Sequence, residues 1–194
     1  MRLLLVLVLL AASATAHAAD AVRALPACGQ AVRFAAGWFA DPSTEFDKTS
    51  AFLVKQGAPA GEGATALGLV TVDNEITVVP EKRCRGLAVM LRFTHPVLRV
   101  IRELPPGTCA HAHVLRHEYT HVHIYRDIAQ RFRELAYPFP DAATPELVLR
   151  YAKQQLAKLQ EAQRLFDSPE EYGANLTACR GEIPRLLAGA KKAG

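Results

Sequence analysis

Residues 117–121 read His-Glu-Tyr-Thr-His. On a helix, positions i and i+4 share a face, so His117 and His121 can aim two imidazoles at one point. Glu118 leaves the axis about 100° away, near that point but not aimed at it. Two neutral nitrogen donors beside a carboxylate are what a catalytic zinc ion uses: the histidines hold it, and the glutamate takes a proton from a water that the ion acidifies. The pattern therefore implies Zn2+ as cofactor, Glu118 as general base, and hydrolysis of a peptide or protein substrate.

Three protein ligands plus a water are usual in a catalytic zinc site. His113 shares the face of His117, but His113 and His121 are about 12 Å apart along a helix, too far for one ion with His117 between them. Glu170, Glu171 and Tyr172 follow Ser168-Pro169. Ser168 with Glu171 also reads as a capping box, in which the glutamate serves its own helix start. The chain has four cysteines, Cys28, Cys84, Cys109 and Cys179, which can pair in three ways. If Cys109 pairs with Cys179 and their helices are antiparallel, Glu171 lies beside His117, because each is eight residues from its cysteine. Glu171 is then the preferred third ligand over Glu170, Asn175 shares its face, and the remaining bridge is Cys28–Cys84. Tyr172 becomes the candidate hydrogen-bond donor to the transition state, a place it shares with a plain role as hydrophobic anchor. His123 lies about 120° off the ligand face and reads as a surface or second-site histidine.

The elements that must position these groups are legible in part. Residues 19–56 are weakly patterned; Asp41-Pro42-Ser43 is a possible start for a short helix carrying Phe46, Phe52 and Leu53. Residues 57–66 read as a loop. Strands are expected at Leu67–Val72 and Glu75–Val79, joined by a two-residue turn at Asp73-Asn74, and at Leu87–Phe93; Pro96–Leu104 leans to strand. Thr108 caps a helix expected to reach about Ala136. Val114, His117, His121, Ile124, Ile128, Phe132 and Leu135 share one face of it, with Leu115, Tyr119 and Val122 opposite, so burial nearly all round is expected. Thr144-Pro145-Glu146 opens a second helix to about Phe166, and Ser168-Pro169-Glu170-Glu171 a last one toward Leu187. The class is α+β: a small, mostly antiparallel sheet (strand-rich 67–104) followed by three helices (108–188), with the histidine pair on the central helix.

Residues 1–18 read as a secretory signal: Met1-Arg2, an apolar run from Leu3 to Ala12, and Ala16-His17-Ala18 for cleavage. Residues 19–194 then form one domain in a secreted or periplasmic protein, where four cysteines suit two disulfides. No other apolar run suggests stable membrane insertion. The formal charge of +4 is scattered, without an aromatic-interleaved patch, which argues against nucleic acid as a partner.

Around His117–His121, with Pro105-Pro106-Gly107-Thr108-Cys109 before it and Phe166-Asp167-Ser168-Pro169-Glu170-Glu171-Tyr172-Gly173 after it, the chain resembles small bacterial secreted zincins. One group of these is described as secreted zinc-dependent proteases. That group carries a Tyr-Asp-x-x-Thr-x-His-Gly stretch whose histidine is its proposed third ligand. Phe166-Asp167 matches Tyr-Asp and Gly173 matches Gly, but Tyr172 stands where the histidine would be. A carboxylate at Glu171 would make the site like that of a gluzincin. The resemblance implies a zincin-like fold and peptidase activity. The rival expectations are a non-catalytic exported domain that binds metal or a partner, and a hydrolase of cell-wall amides.

Overall fold

The computed structural model describes residues 30–38, 40–58, 65–81 and 86–193. The signal segment, Cys28 and Cys84 lie outside the described residues. Four strands and four helices follow one another: β1 (Val32–Trp38), β2 (Ser43–Glu45), α1 (Ser50–Lys55), β3 (Gly68–Glu81), β4 (Gly86–Val100), α2 (Cys109–Arg133), α3 (Pro145–Phe166) and α4 (Pro169–Ala193). No helix among the described residues is long and apolar enough to cross a membrane.

β4 organises the sheet. β3 pairs with it antiparallel along nearly its whole length, while β1 pairs parallel with its first half (Val32↔Leu87 to Trp38↔Phe93) and β2 parallel with its end (Ser43↔Val97 to Glu45↔Arg99). A strand has two edges, so β1 and β2 lie in line along the edge opposite β3. Two of the three pairings are thus parallel, and the expected mostly antiparallel sheet is corrected. Parallel pairing needs a long crossover, and the segments from β1 and β2 to β4 provide it through α1 and β3.

The expected turn at Asp73-Asn74 is also corrected. β3 runs straight through it, and the register shifts there, from Thr71↔Val97 to Asp73↔Thr94. Opposite the shift, His95 takes a positive φ of 49° and Pro96, which has no N–H for a ladder, follows. A bulge tolerates both residues, and its extra residue reverses which side chains face inward. Before it, Val89, Leu91 and Phe93 are buried; after it, Leu98 and Val100 are. The two strands expected at Leu87–Phe93 and from Pro96 onward are one bent strand, which ends before Ile101.

The helices α2 and α3 pack against the sheet and each other. Phe34 of β1 meets Phe132 of α2 and Tyr151 of α3, and Tyr125 of α2 meets Trp38 and Phe93. α2 is the core helix, capped by Thr108, whose side chain accepts from the His111 amide. Its burial is not all-round: Val122 is buried, but Tyr119 is 40% exposed. α3 matches its expected bounds. α4 is two helical stretches, broken where Cys179, Arg180 and Gly181 all take positive φ. Among the described residues the α-helices number four, because α1 forms at Ser50 after β2 has taken Ser43–Glu45.

Candidate metal centre

A disulfide joins Cys109, the first residue of α2, to Cys179 at the break in α4, with Cα atoms 5.7 Å apart. From that bridge the two helices run antiparallel in matched turns. One turn on, His113 Nε2 lies 3.0 Å from Asn175 Oδ1; another turn on, His117 Nδ1 lies 3.8 Å from Glu171 Oε2. Glu182, past the break, adds a second tie by accepting from the Ala110 amide at 2.7 Å.

Glu171 therefore lies beside His117, but on the outer nitrogen. The carboxylate that converges with both histidines is Asp167, at the end of α3. Its Oδ1 lies 3.1 Å from His117 Nε2 and 3.0 Å from His121 Nε2, and these two nitrogens are 3.2 Å apart. The expected ligand Glu171 is thus replaced in this position by Asp167. The physical reason is reach: the chain turns from α3 into α4 at Asp167-Ser168, directly over the Nε2 atoms, whereas Glu171 is a turn further on and half exposed.

The outer nitrogen of His121 settles what its inner one carries when the ring is neutral. Gln163 accepts from His121 Nδ1 through Oε1 at 2.6 Å and donates through Nε2 to the backbone oxygen of His121 at 3.1 Å, which fixes its amide orientation. His121 Nδ1 thus holds a hydrogen, and in the neutral ring Nε2 presents a lone pair. Glu171 stands on the same outer side of His117, at ion-pair distance (3.8 Å) rather than hydrogen-bonded. Ligand histidines are oriented in this way by outer acceptors. With both rings neutral and their hydrogens on Nδ1, three electron-rich atoms face one point, which is repulsive unless a cation sits there or a ring takes up a proton and donates it to Asp167. Around a tetrahedral zinc with bonds near 2.05 Å, ligand atoms are about 3.3 Å apart, close to the 3.0–3.2 Å found here. His117, His121 and Asp167 are accordingly a group that could hold a metal ion. Phe166 stacks on His117 and meets His121 edge-on, closing the side toward α3.

The electrostatics follow from this clustering. Burial opposes ionisation of Asp167, but hydrogen bonds from His117 and His121, together with their charge, outweigh it and hold its carboxyl well below the usual range. Burial likewise disfavours the charged form of His121, yet its bonds to Asp167 and Gln163 and the charge of Glu118 raise it above the ordinary value. Glu118 is 5% exposed. Burial pushes its carboxyl up to about 7, against the pull of His121 and His117 and with the help of Asp167.

A cavity of about 140 Å³ opens onto these groups, lined on one side by Leu67 and by Gly68–Val70 of β3 and on the other by His117, Glu118, His121, Tyr125, Asp167 and Asn175. Gly68 is the contact that admits Glu118: a Cβ there would collide with Glu118 Oε1 and come within 2.7 Å of its Cδ. His111 is committed elsewhere, with Nδ1 2.9 Å from the Leu104 oxygen, and His123 is exposed. The side chain of Tyr172 lies outside what the structure describes, so its expected donor role finds no geometry here. Glu170, the alternative ligand, is exposed.

No protein-family model, curated protein or solved structure matches this chain. The reading of the site rests on its geometry.

Asp167, Gln163 and Gly68 escape the motif reading. The first two had a signal. Val148, Ala152 and Leu156 form the buried stripe of α3, and Gln163 and Asp167 continue it at helical spacing. Polar residues extending an apolar stripe call for a purpose. Gly68 had none, because its importance lies in what sits across from it.

Proposed function

We propose that this chain is a zinc-dependent peptidase. The observation that carries the reading is the convergence of His117 Nε2, His121 Nε2 and Asp167 Oδ1 on one point, at a cavity that also holds the buried carboxyl of Glu118. His117, His121 and Asp167 would hold the ion. Zinc bound there would supply a Lewis acid and bring the pKa of a water in the cavity toward neutrality. Glu118, poised near 7, takes a proton from the attacking water as its oxygen bonds to the carbonyl carbon. It then delivers that proton to the amide nitrogen as the C–N bond breaks. Gln163 and Glu171 keep the imidazoles turned with Nε2 inward. Secretion, as the signal reading implies, would suit the Cys109–Cys179 bridge.

The peptide class is favoured by β3. Leu67–Val70 line the cavity, and among the described residues β3 pairs only with β4, which leaves its other edge for an extended chain. Leu87–Phe93, by contrast, is inside β4 and has neighbours on both sides.

The test is metal content and turnover together. The purified protein should hold one zinc per chain. Asp167→Ala should release it, whereas Glu171→Gln should weaken binding only about tenfold. Glu118→Gln should keep the zinc and stop cleavage of casein-like substrates. A Glu118→Gln variant as active as the wild type, or zinc that stays after Asp167→Ala but leaves with Glu171→Gln, sinks this reading. Cleavage of peptidoglycan amides but of no protein would point to the cell-wall alternative.

A further inference from the structure

Three polar side chains line the cavity beyond the three converging groups and Glu118: Gln163, Tyr125 and Asn175. Gln163 has both ends of its amide engaged on His121. The ring of Tyr125 is held against Phe93 and Trp38, with centroids 5.3 and 6.2 Å away. Asn175 is different. Its Oδ1 accepts from His113 Nε2 at 3.0 Å, and a planar carboxamide directs its NH2 away from the partner of its oxygen. One end is thus fixed and the donor end is left for the cavity. The mounting is rigid as well, because the His113–Asn175 contact lies between the Cys109–Cys179 bridge and the His117–Glu171 pair. A preorganised donor aimed where negative charge develops is the arrangement that lowers an acyl-transfer barrier.

We propose that Asn175 is a catalytic residue: its Nδ2 donates to the scissile carbonyl oxygen as that oxygen gains negative charge, and His113 is the positioning residue that sets its amide. This inference rests on the peptidase reading. It assigns to Asn175 the donor role that the sequence suggested for Tyr172.

The test uses the zinc-loaded full chain and two probes, a peptide substrate and a phosphonamidate peptide whose tetrahedral anionic group mimics the transition state. Asn175→Ala should keep its zinc, lower kcat about 100-fold, and weaken the phosphonamidate by a similar factor. Binding of the uncleaved peptide, measured in a Glu118→Gln background, should change less than about threefold, since a donor used in the transition state spares ground-state binding. His113→Ala should give an intermediate loss, and His113→Gln, which can still donate to Oδ1, should recover part of it. The proposal is overturned if Asn175→Ala binds the phosphonamidate like the wild type, if it loses zinc or ground-state peptide to the same degree, or if Tyr125→Phe carries the loss instead. A wild-type chain that takes up zinc and cleaves peptides while Asn175→Ala does so equally well removes this proposal alone. A wild-type chain that neither binds zinc nor cleaves removes the peptidase reading and this proposal with it.

Discussion

Glu118 couples the chemistry of the site to the stability of the fold. Its carboxyl has an ordinary value of 4.5 and is pushed up to about 7 by burial. Between those values the folded state keeps a proton that the unfolded chain has released. Stability therefore falls as pH rises through that window, and the full penalty is present above it. The shift corresponds to about 3 kcal/mol. In metal-free protein, Glu118→Gln should unfold at nearly the same temperature as the wild type at pH 4, and at a clearly higher one at pH 8. Thermal denaturation at the two pH values checks this, and an advantage that is equal at both would mean that Glu118 is not buried as described. Gly68 works on the same carboxyl. Its φ is not in the left-handed region, so Gly68→Ala strains no backbone; it displaces the tip of Glu118 instead. On the proposed function, the expected outcome is a folded protein that still takes up zinc, with kcat down at least about 100-fold, seen in metal analysis beside steady-state kinetics. His117, Glu118 and His121 were legible at this scale because helix geometry alone puts them together. Asp167 was not, because its position depends on where α3 stops, which a motif of five residues on α2 does not contain.

Local signals describe the helices better than the sheet. Thr108, Thr144 and Ser168 each accept from an amide three residues on, and a cap of this kind is written in a few adjacent residues. β1 left no such trace. It is buried at six of its seven positions, so its sequence lacks the alternation that marks a half-buried strand, as a strand in parallel pairing commonly does. Asp73-Asn74 reads as a turn from its residue types alone, yet both residues are paired with β4, just past the register shift. The pairing of Cys109 with Cys179 was reachable only as a supposition, yet its consequence, Glu171 beside His117, followed from helical rise alone. The bridge spans 70 residues, and closing a loop of that length in the unfolded chain is worth about 4 kcal/mol. Cys109→Ser with Cys179→Ser should lower stability by about 2–4 kcal/mol in urea unfolding. The variant should still take up zinc, because His117 and His121 are on α2 and Asp167 ends α3, so no converging group is on α4. Loss of zinc from the folded double variant would show that the bridge builds the centre rather than bracing it.

At the scale of the whole molecule, one of the two outer edges of the sheet among the described residues, that of β3, lies beside the site. β4 is flanked by β1 and β2 on one edge and by β3 on the other, so among the described residues the sheet has two outer edges, and that of β3 is the one whose strand lines the cavity. The stretch of β3 that lines the cavity is its beginning, Gly68–Val70, next to Glu118. On the proposed function, a chain paired there would pass its carbonyls across the point on which His117, His121 and Asp167 converge. On the proposed function the strand would thus set the depth and direction of the substrate while the helices supply the chemistry, and β3 serves because its first residues, not those of β1, line the cavity. Backbone pairing selects for an extended chain and is indifferent to side chains. Hydrogen exchange can see it directly. In Glu118→Gln protein holding zinc and an uncleaved peptide, amides of residues 67–72 that point away from β4 should become protected, whereas those of β1 should stay as they were. A peptide N-methylated at the backbone positions that meet β3 should bind at least about tenfold more weakly, as two lost hydrogen bonds of about 1 kcal/mol each require. Protection that appears on α4 and not on β3 would place the substrate elsewhere and leave the open edge without a role in its recognition.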